Sequence, residues 1–391
     1  MEFDRLKTPC YIIRQEEYIK NINEIMDSFN NVWNNNVIFG YSVKTNHFPA
    51  LMEEAKNKKW YAEVVSTDEY NHALEVKFNK DNIILNGPSK GNCLSKAIKN
   101  NCIINIDNFD EIRYICKNKK YLKCKIGLRV NFELEKYVPG ETTTGNEIGR
   151  FGINYENGDL KKAIELLNKN KIKINGLHMH QSTSTRSLNV FKAISKKAVE
   201  IAKKYNLQNL EYIDIGGGYF GGNYFKGKPK IKEYAEVISK ELKQYFDSKN
   251  TTLVIEPGAA ILATACDYLT SVVNIREIKN TKVVTVDGSC LHINPFMKNS
   301  QVNPCTILNH GNLLKNKKQL IGGSTCMEMD RLYPMNNKYE LKANSKLLFH
   351  CAGAYTMTHN NNFINLPPYV YIESNNKYRL LRNKKNNTML L

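Results

Sequence analysis

The sequence of 391 residues predicts an α/β protein: a (β/α)8 TIM-like barrel followed by a mainly antiparallel β domain, folded as a sandwich or a small barrel. Eight short apolar runs alternate with helix-length connections up to about Ala265, and such β-α alternation implies a parallel sheet that eight repeats can close. Beyond Ala265 the runs become alternately apolar and polar, which is typical of antiparallel strands. A chain of this length also exceeds a typical single core.

The predicted barrel strands are Val37 to Tyr41, Ala62 to Val65, Ile83 to Leu85, Ile103 to Ile106, Lys125 to Val130, Ile174 to His180, Glu211 to Ile215 and Leu253 to Ile255. The predicted strands of the β domain include Tyr268 to Arg276, Thr281 to Val286 and Lys346 to His350, joined by the N-terminal run Cys10 to Arg14. We therefore expect a cofactor-binding barrel over residues 30–265, a β domain over 1–29 plus 266–380, and a mobile tail over 381–391.

Composition points to a cytoplasmic protein. There is no stretch of about eighteen apolar residues, and the first five residues lack the charged-then-apolar order of a signal peptide, so we expect a soluble protein without membrane contact. The ten cysteines are scattered, with no Cys-x-x-Cys pair and no metal-ligand spacing. This pattern favours reduced thiols and predicts no metal site.

The formal net charge is +18, and an excess of Lys and Arg can indicate nucleic-acid binding. The lysines, however, are mixed with Asn and Ile along the whole chain, in runs such as 168–173 and 383–387. This distribution is typical of solvated helix faces and of a composition bias. We therefore expect no nucleic-acid partner and, at most, a general attraction for anionic substrates.

Lys44 is the first candidate for chemistry. It lies in the segment 41–46, YSVKTN, where the first barrel strand ends. Desolvation of an ammonium lowers its pKa and leaves a nucleophilic amine, which is what a Schiff base to a pyridoxal cofactor requires. A lone lysine at a strand end is usually solvated or paired. The assignment of a chemical role to Lys44 therefore depends on other segments of the sequence.

Five later segments accompany Lys44 in a fixed order: GLHMH at 176–180, DIGGGY at 214–219, EPG at 256–258, GGSTC at 322–326 and GAY at 353–355. Together the six segments resemble the pyridoxal-phosphate-dependent decarboxylases of the diaminopimelate and ornithine decarboxylase family, which share the alanine-racemase-like barrel. The resemblance extends from Thr8-Pro9 to about Pro368. Six ordered motifs are far more specific than any one of them.

The resemblance implies a pyridoxal 5'-phosphate site. Lys44 would bind the aldehyde, Glu256 would pair with the pyridine nitrogen, and His180 would stack on the ring. The glycine triplet would bind the phosphate, with a tyrosine of the β domain and a hydroxyl from 182–184. The residues so assigned are Lys44, Glu63, Arg129, His180, Thr183, Gly216, Gly217, Gly218, Glu256, Gly258 and Tyr355. Structural ion pairing explains Glu63 and Arg129 almost as well, and His178 is better explained as a satisfied core histidine.

Cys326 matches the cysteine that members of this family deliver from the neighbouring subunit, where it is implicated in protonation after carbon dioxide leaves. A free cysteine is usually a small core residue, but here the matching motif outweighs that expectation. The resemblance thus names Lys44, His180 and Cys326 as catalytic. It also implies a homodimer in which each active site is built from two chains.

The departures from the family pattern concentrate on substrate recognition. The arginine that usually follows Glu-Pro-Gly is Ala259, the acid after the motif cysteine is Met327, and the arginine before Pro295 is Asn294. These changes remove an anion clamp and the partner of a distal ammonium. Three charged residues could compensate, although each is more commonly an ordinary surface charge: Arg186, Glu328 and Asp330.

The leading hypothesis is a decarboxylase of a modified or carrier-linked diamino acid in a biosynthetic pathway, with an amino-acid substrate and a possible carrier protein as partners. The first alternative is diaminopimelate decarboxylation proper, in lysine biosynthesis. An amino-acid racemase on the same barrel is the second, and the Cys326 motif speaks against it. A non-catalytic binding homologue is the third, and retention of the assigned cofactor residues opposes it.

Overall fold

The structure is a computed structural model that describes residues 2–222, 226–297, 304–314, 318–334, 338–359 and 363–384. The chain divides into two compact units. The barrel unit contains the described residues of Ile22–Gly221 and Phe225–Ala260, and the sheet unit contains those of Met1–Asn21, Gly222–Tyr224 and Ile261–Leu391. The domain limits expected from the sequence, 30–265 and 1–29 plus 266–380, stay predictions.

In chain order the strands are β1 (Cys10–Arg14), β2 (Val37–Ser42), β3 (Tyr61–Val64), β4 (Ile83–Leu85), β5 (Ile103–Ile106), β6 (Lys125–Asn131), β7 (Ile153–Asn154), β8 (Gly176–His178), β9 (Tyr212–Gly216), β10 (Thr252–Ile255), β11 (Cys266–Ile278), β12 (Thr281–Val286), β13 (Cys305–Leu308), β14 (Lys318–Gly322), β15 (Lys346–Phe349), β16 (Tyr369–Ser374) and β17 (Lys377–Arg382). The helices are α1 (Gln15–Val32), α2 (Pro49–Asn57), α3 (Thr67–Glu75), α4 (Cys93–Ala97), α5 (Phe109–Lys117), α6 (Asp159–Lys169), α7 (Leu188–Lys204), α8 (Ile231–Leu242) and α9 (Gly258–Leu262). Of the tail predicted at 381–391, the first two residues belong to β17, and 385–391 lie outside the described residues.

A closed parallel sheet forms the centre of the barrel unit. Its strands follow the order β2-β3-β4-β5-β6-β8-β9-β10, and β10 pairs with β2 to close the ring. The neighbours in this ring are parallel. The eight runs predicted from the sequence correspond one to one to these strands. The predicted (β/α)8 barrel is therefore confirmed.

Several helices of the barrel begin at a polar cap. The Ser66 hydroxyl accepts a hydrogen bond from the Glu69 main-chain N–H at the start of α3, and the Asn108 side chain does the same at the start of α5. Ser187 caps α7 in the same way. These side chains satisfy donors that a helix leaves unpaired in its first turn, so short connections can lead directly from strand to helix.

A tyrosine fills part of the barrel interior. Tyr212 on β9 is buried, and its hydroxyl donates to Asn105 Oδ1 at 2.8 Å. A Cβ atom added to Gly127 on β6 would lie 2.1 Å from the Tyr212 hydroxyl oxygen, and one added to Gly176 on β8 would lie 2.3 Å from the ring. Both glycines are therefore required because the tyrosine occupies the space above them.

We expect Gly127→Ala to lower the free energy of unfolding by about 1–3 kcal/mol or more, because the new methyl group would overlap Tyr212 in a packed interior. Urea unfolding would show a lower midpoint with an unchanged slope. Gly322→Ala in the sheet unit is the matched control, since the atom nearest to its added Cβ lies 3.8 Å away. Equal midpoints for the two variants would contradict the described packing.

The sheet unit follows the strand order β13-β15-β11-β1-β16-β17, with β12 paired to β11 and β14 paired to β12. Its pairs are antiparallel apart from β1 with β16 and β12 with β14. The N-terminal strand β1 pairs with β11 and β16 in this sheet, and the sequence predicted that it joins the β domain. The mainly antiparallel β domain is therefore confirmed. Among the described helices of the whole chain, none has the length and apolar character needed to cross a membrane.

Candidate active site

Lys44 follows β2 and contacts a buried carboxylate on β3. Its Nζ donates a hydrogen bond to Oε2 of Glu63, a residue that is 1% exposed. The same oxygen accepts a hydrogen bond from the Ser42 hydroxyl at 2.6 Å. The side chain of Lys44 is itself 37% exposed. The amine is therefore oriented by Glu63 and remains accessible to a small molecule.

Glu63 is the first member of a chain of hydrogen bonds inside the barrel. Asn86 Nδ2 donates to Glu63 Oε1 at 3.1 Å and to Glu256 Oε1 at 2.6 Å. Asn105 Nδ2 donates to Asn86 Oδ1 at 2.9 Å and to Asp214 Oδ2 at 3.1 Å. Each of these five residues is at most 5% exposed. We call them the interior polar network; they connect the acid beside Lys44 with the acid that follows β10.

Glu256, directly after β10, lies beside a histidine with unused hydrogen-bonding capacity. Glu256 Oε2 is 3.7 Å from Nε2 of His178, which is 1% exposed. Within the described residues, neither ring nitrogen of His178 has a hydrogen-bond partner. The expectation of a satisfied core histidine is therefore wrong for His178, because packing buries the ring without supplying partners. Buried polar atoms are rarely left unpaired, so this point of the barrel has capacity for a polar ligand.

His180 lies two residues beyond β8, and its ring stacks on that of His178 with centroids 6.1 Å apart. Burial lowers the pKa of His180 to about 3, and the positive charge of Arg129 acts in the same direction. The main-chain N–H of Gly217 donates to His180 Nδ1 at 3.3 Å. The imidazole is therefore neutral, with its proton on Nε2.

The glycines after β9 form a tight loop against these residues. Gly216 and Gly218 have φ angles of +75° and +102°, which favour glycine. A Cβ atom at Gly216 would lie 2.5 Å from His180 Cβ, and one at Gly217 would lie 2.2 Å from the main-chain oxygen of Glu256. The bare backbone of such a loop lets an anion approach its amides closely.

Arg129 on β6 is a partly paired buried cation. It is 8% exposed, and its NH1 atom lies 3.5 Å from Asp107 Oδ1. Burial lowers its pKa, and the negative charge of Asp107 opposes this change. Its guanidinium carbon is 4.7 Å from the centroid of the Phe151 ring. This environment is compatible with both interpretations of Arg129 that the sequence left open, namely a structural ion pair and support for a cofactor.

Three further predicted residues of the barrel unit lie at the start of a helix or on loops. Gly258 begins α9. Thr183 forms an isolated bridge with Thr142, which pairs its segment with the loop after β6. Arg186 has its guanidinium carbon 5.2 Å from the centroid of the Phe220 ring. The structure thus brings Lys44 together with Glu63, and the glycine loop together with Glu256, Gly258 and His180, whereas Thr183 and Arg186 have other described neighbours.

The sheet unit contains the other predicted site residues. Cys326 is exposed, whereas the other nine of the ten cysteines, all within the described residues, are buried or half-buried. The expectation that a free cysteine is a core residue therefore fails at Cys326. Asn294 is 7% exposed, Met327 is half-buried, and Tyr355 is half-buried with a φ angle of +58°.

Asp330 is not the surface charge that its residue type suggested. It is 2% exposed, and its carboxylate accepts hydrogen bonds from the Cys290 main-chain N–H and the Thr325 hydroxyl, both at 2.7 Å. These bonds anchor the loop that carries Cys326. Glu328 in the same loop is fully exposed.

The sequence interpretation missed the middle of the interior polar network. Asn86 ends an apolar run, and Asn105 and Asp214 interrupt two others. A polar side chain inside a strand that is buried on both faces needs a partner, so these interruptions were the available indication.

Known proteins resemble this chain over most of its length. A family model described as "Pyridoxal-dependent decarboxylase, pyridoxal binding domain" matches residues 19–263. The diaminopimelate decarboxylase of Bacillus methanolicus is 27% identical over 365 residues, which cover 88% of this chain and 83% of that protein. The probable chloroplastic diaminopimelate decarboxylase of Oryza sativa subsp. japonica is 25% identical over 290 residues, which cover 72% of this chain and 58% of that protein.

A comparison with solved structures identifies a diaminopimelate decarboxylase as well. The crystal structure of the diaminopimelate decarboxylase from M. jannaschii matches this structure with a TM-score of 0.85 and 23% sequence identity, over 97% of this chain and 90% of that one. The predicted resemblance is thus confirmed. Because the family model covers more than half of the sequence, the chain belongs to the pyridoxal-dependent decarboxylases, enzymes that use pyridoxal phosphate to remove carbon dioxide from amino acids.

Proposed function

We propose that this decarboxylase acts on an amino acid whose distal end carries no free ammonium group, such as an acylated or carrier-linked diamino acid. The loop after Cys326 supports this proposal most directly. Met327 occupies the position of the acid that the family resemblance assigns to the distal amine. Asp330 is already bound to Cys290 and Thr325, so it is not available to replace that acid.

The residues at the ends of strands β2, β8, β9 and β10 fit pyridoxal phosphate. An accessible amine, a buried carboxylate with an unpaired histidine beside it, and a glycine loop correspond to its aldehyde, its ring nitrogen and its phosphate. When bound, the cofactor supplies an aldehyde for the substrate amine and a ring that accepts electrons when the bond from Cα to the carboxylate breaks. The chain itself has to hold and orient these groups.

Each residue has a distinct task in this proposal. Lys44 would hold the aldehyde, with its amine oriented by Glu63. Glu256 would accept a charge-assisted hydrogen bond from the protonated ring nitrogen. His180 would pack on the ring as a neutral imidazole, because an imidazolium would repel the pyridinium. For the phosphate, the family resemblance adds Thr183 and Tyr355 to the glycine loop.

We propose that the working unit is a homodimer and that Cys326 acts in the partner's site, where its Sγ proton is transferred to Cα of the substrate. Cys326 is exposed, and the sheet unit also exposes large apolar side chains. Five of these side chains, which we call the apolar rim, are Phe296, Met329, Tyr333, Phe363 and Ile364. The segment after Phe363 contacts the Cys326 loop, since Asn365 Nδ2 donates to the Ser324 hydroxyl at 3.1 Å. Exposed apolar groups beside a functional loop are typical of a protein interface.

A carrier protein and a cytoplasmic location stay predictions.

Diaminopimelate decarboxylation is the second candidate, because the similar proteins carry that name. This reaction requires a partner for the distal ammonium of the substrate. The exposed Glu328 is the acid nearest in sequence to Cys326 that could supply it. No relative reported above supports the racemase or the non-catalytic alternative.

Steady-state release of carbon dioxide distinguishes the two candidates. We expect kcat/KM below about 10⁴ M⁻¹s⁻¹ for free lysine, ornithine and meso-diaminopimelate. An acylated derivative should react at least about tenfold better, because an unpaired buried ammonium costs about 1–3 kcal/mol. Efficient turnover of any of the three free amino acids would sink the proposed specificity.

Two variants test which residue determines the preference between free and acylated diamino acids. Met327→Glu should shift the preference toward free diamino acids, because it restores an acid after the motif cysteine. Glu328→Gln is the matched control, and it should leave the preference unchanged. If Glu328→Gln instead removes activity on meso-diaminopimelate, Glu328 binds the distal ammonium and the second candidate is correct.

A further inference from the structure

Asp214 and Glu256 form a buried pair of acids. Asp214 on β9 is 0% exposed and Glu256 is 5% exposed. An oxygen of each carboxylate lies within 4.8 Å of the other and of a His178 nitrogen. Two negative charges about 4 Å apart repel each other by roughly 4 kcal/mol even at a moderate protein dielectric. Such a pair is therefore stable when it shares one proton.

Among the described residues of the barrel interior, two carboxylates, those of Asp214 and Glu256, form no ion pair with a lysine or arginine. Three cations near the interior polar network each lie within 4 Å of another acid, in the pairs Lys44 with Glu63, Lys90 with Glu111, and Arg129 with Asp107. Asp214 and Glu256 remain. If one of them is protonated, the pair has a single negative charge, which matches the single positive charge of a protonated pyridine ring.

Asp214 is better placed than Glu256 to hold the proton. Burial raises the pKa of Asp214 well above its usual range, and the neighbouring Glu256 raises it further. The Gly216 main-chain N–H donates to Asp214 Oδ1 at 2.8 Å. Oδ2 accepts from Asn105, and as a hydroxyl it could still accept that bond while donating to an oxygen of Glu256.

We propose that Asp214 carries a proton and donates it in a hydrogen bond to Glu256, so that Glu256 keeps the one negative charge of the pair opposite the ring nitrogen of the cofactor. Asp214 is thus a positioning residue that acts through Glu256. This positioning role of Asp214 rests on the proposed function of the site. The protonation itself does not require cofactor or substrate.

Infrared spectroscopy of the full-length, cofactor-free protein near neutral pH tests the proton directly. The difference spectrum between the wild type and Asp214→Asn should show the carbonyl band of a protonated carboxylic acid, shifted in heavy water. Asp267→Asn is the matched control: Asp267 is also buried, but it is 2.8 Å from Arg14 NH2, so its loss should remove only ionised-carboxylate bands. A difference spectrum for Asp214 that also contains only ionised-carboxylate bands overturns the proposal.

The pH dependence of stability gives a second readout. Native Asp214 binds a proton that the unfolded chain releases above about pH 4, so the folding equilibrium constant should fall up to tenfold per pH unit between that value and the raised native pKa. The charged or titratable groups facing Asp214 are Glu63, Glu256, Arg129, His178, Tyr212 and Tyr219. Glu69, whose pKa burial raises to about 7, adds a similar slope in every variant. The slope should therefore be shallower in Asp214→Asn by about one proton, and parallel curves would overturn the proposal.

If Asp214→Asn does not fold, carbon-13 NMR of wild-type protein labelled at its aspartate carboxyl groups provides the answer. One carboxyl signal should keep the shift of the protonated form near neutral pH, and a spectrum in which every aspartate is ionised overturns the proposal. None of these measurements uses cofactor or substrate. A failed substrate assignment would therefore leave their outcome unchanged.

Discussion

Lys44→Ala should abolish decarboxylation while the protein stays folded. The variant would lack the proposed attachment point of the cofactor, so activity should fall by at least about 10³-fold. Borohydride should fix the cofactor covalently to the wild-type chain and not to the variant. Carbon dioxide release, the absorbance of bound cofactor and peptide mapping after reduction provide the measurements. A reducible adduct at another lysine would refute the assignment of Lys44.

The control for Lys44→Ala must separate chemistry from folding. In the variant, the buried Glu63 keeps, among the described residues, the hydrogen bonds from Ser42 and Asn86, and we expect the loss of Lys44 to lower the free energy of unfolding by about 1–3 kcal/mol. Lys44→Ala combined with Glu63→Gln removes the uncompensated charge. This double variant should regain stability and remain inactive. Recovery of activity together with stability would mean that Lys44 has only a structural role.

Cys326→Ala should lower turnover by about 10²- to 10⁴-fold and leave cofactor binding nearly unchanged, because the thiol is proposed to deliver a proton and not to hold the phosphate. Cys116→Ala is the matched control, since Cys116 is a half-buried cysteine of the barrel unit without an assigned role, and it should retain full turnover.

Mixing the two inactive proteins, Lys44→Ala and Cys326→Ala, tests the shared site. A hybrid dimer has one site with both intact residues, so random exchange of subunits should restore about a quarter of the wild-type activity. No restoration, with exchange confirmed by differently labelled subunits, would remove the claim that Cys326 acts in the partner's site.

The sequence was sufficient for the barrel because each strand is a short apolar run between helix-length segments. The eight strands agree in order with the prediction, and ends such as His180 differ because the pattern continues past the last ladder hydrogen bond. The strand order also places Lys44 near Glu63, since adjacent strands of a parallel barrel bring their carboxyl ends together, but the hydrogen bond between them was not predicted.

The interior polar network could not be predicted in the same way. Whether Asn105 reaches Asp214 depends on closure of the ring, which brings β5 and β9 to the same interior space. The missing partners of His178 had the same cause, because burial can be inferred from a pattern of residues but hydrogen-bond partners require coordinates. At Asp330 the error concerned burial itself. Its acidic side chain suggested a position at the surface, but the loop folds around it and buries it.

Tyr212 also limits how the barrel can change during evolution. Its ring occupies the volume that side chains at Gly127 and Gly176 would need. The side chains at these three positions, on three different strands, must therefore fit together into one fixed volume. A larger residue on β6 or β8 becomes acceptable only after Tyr212 has been replaced by a smaller one, and that replacement also removes the hydroxyl bound to Asn105. Substitutions at these sites should therefore accumulate in a definite order, with the tyrosine changing first.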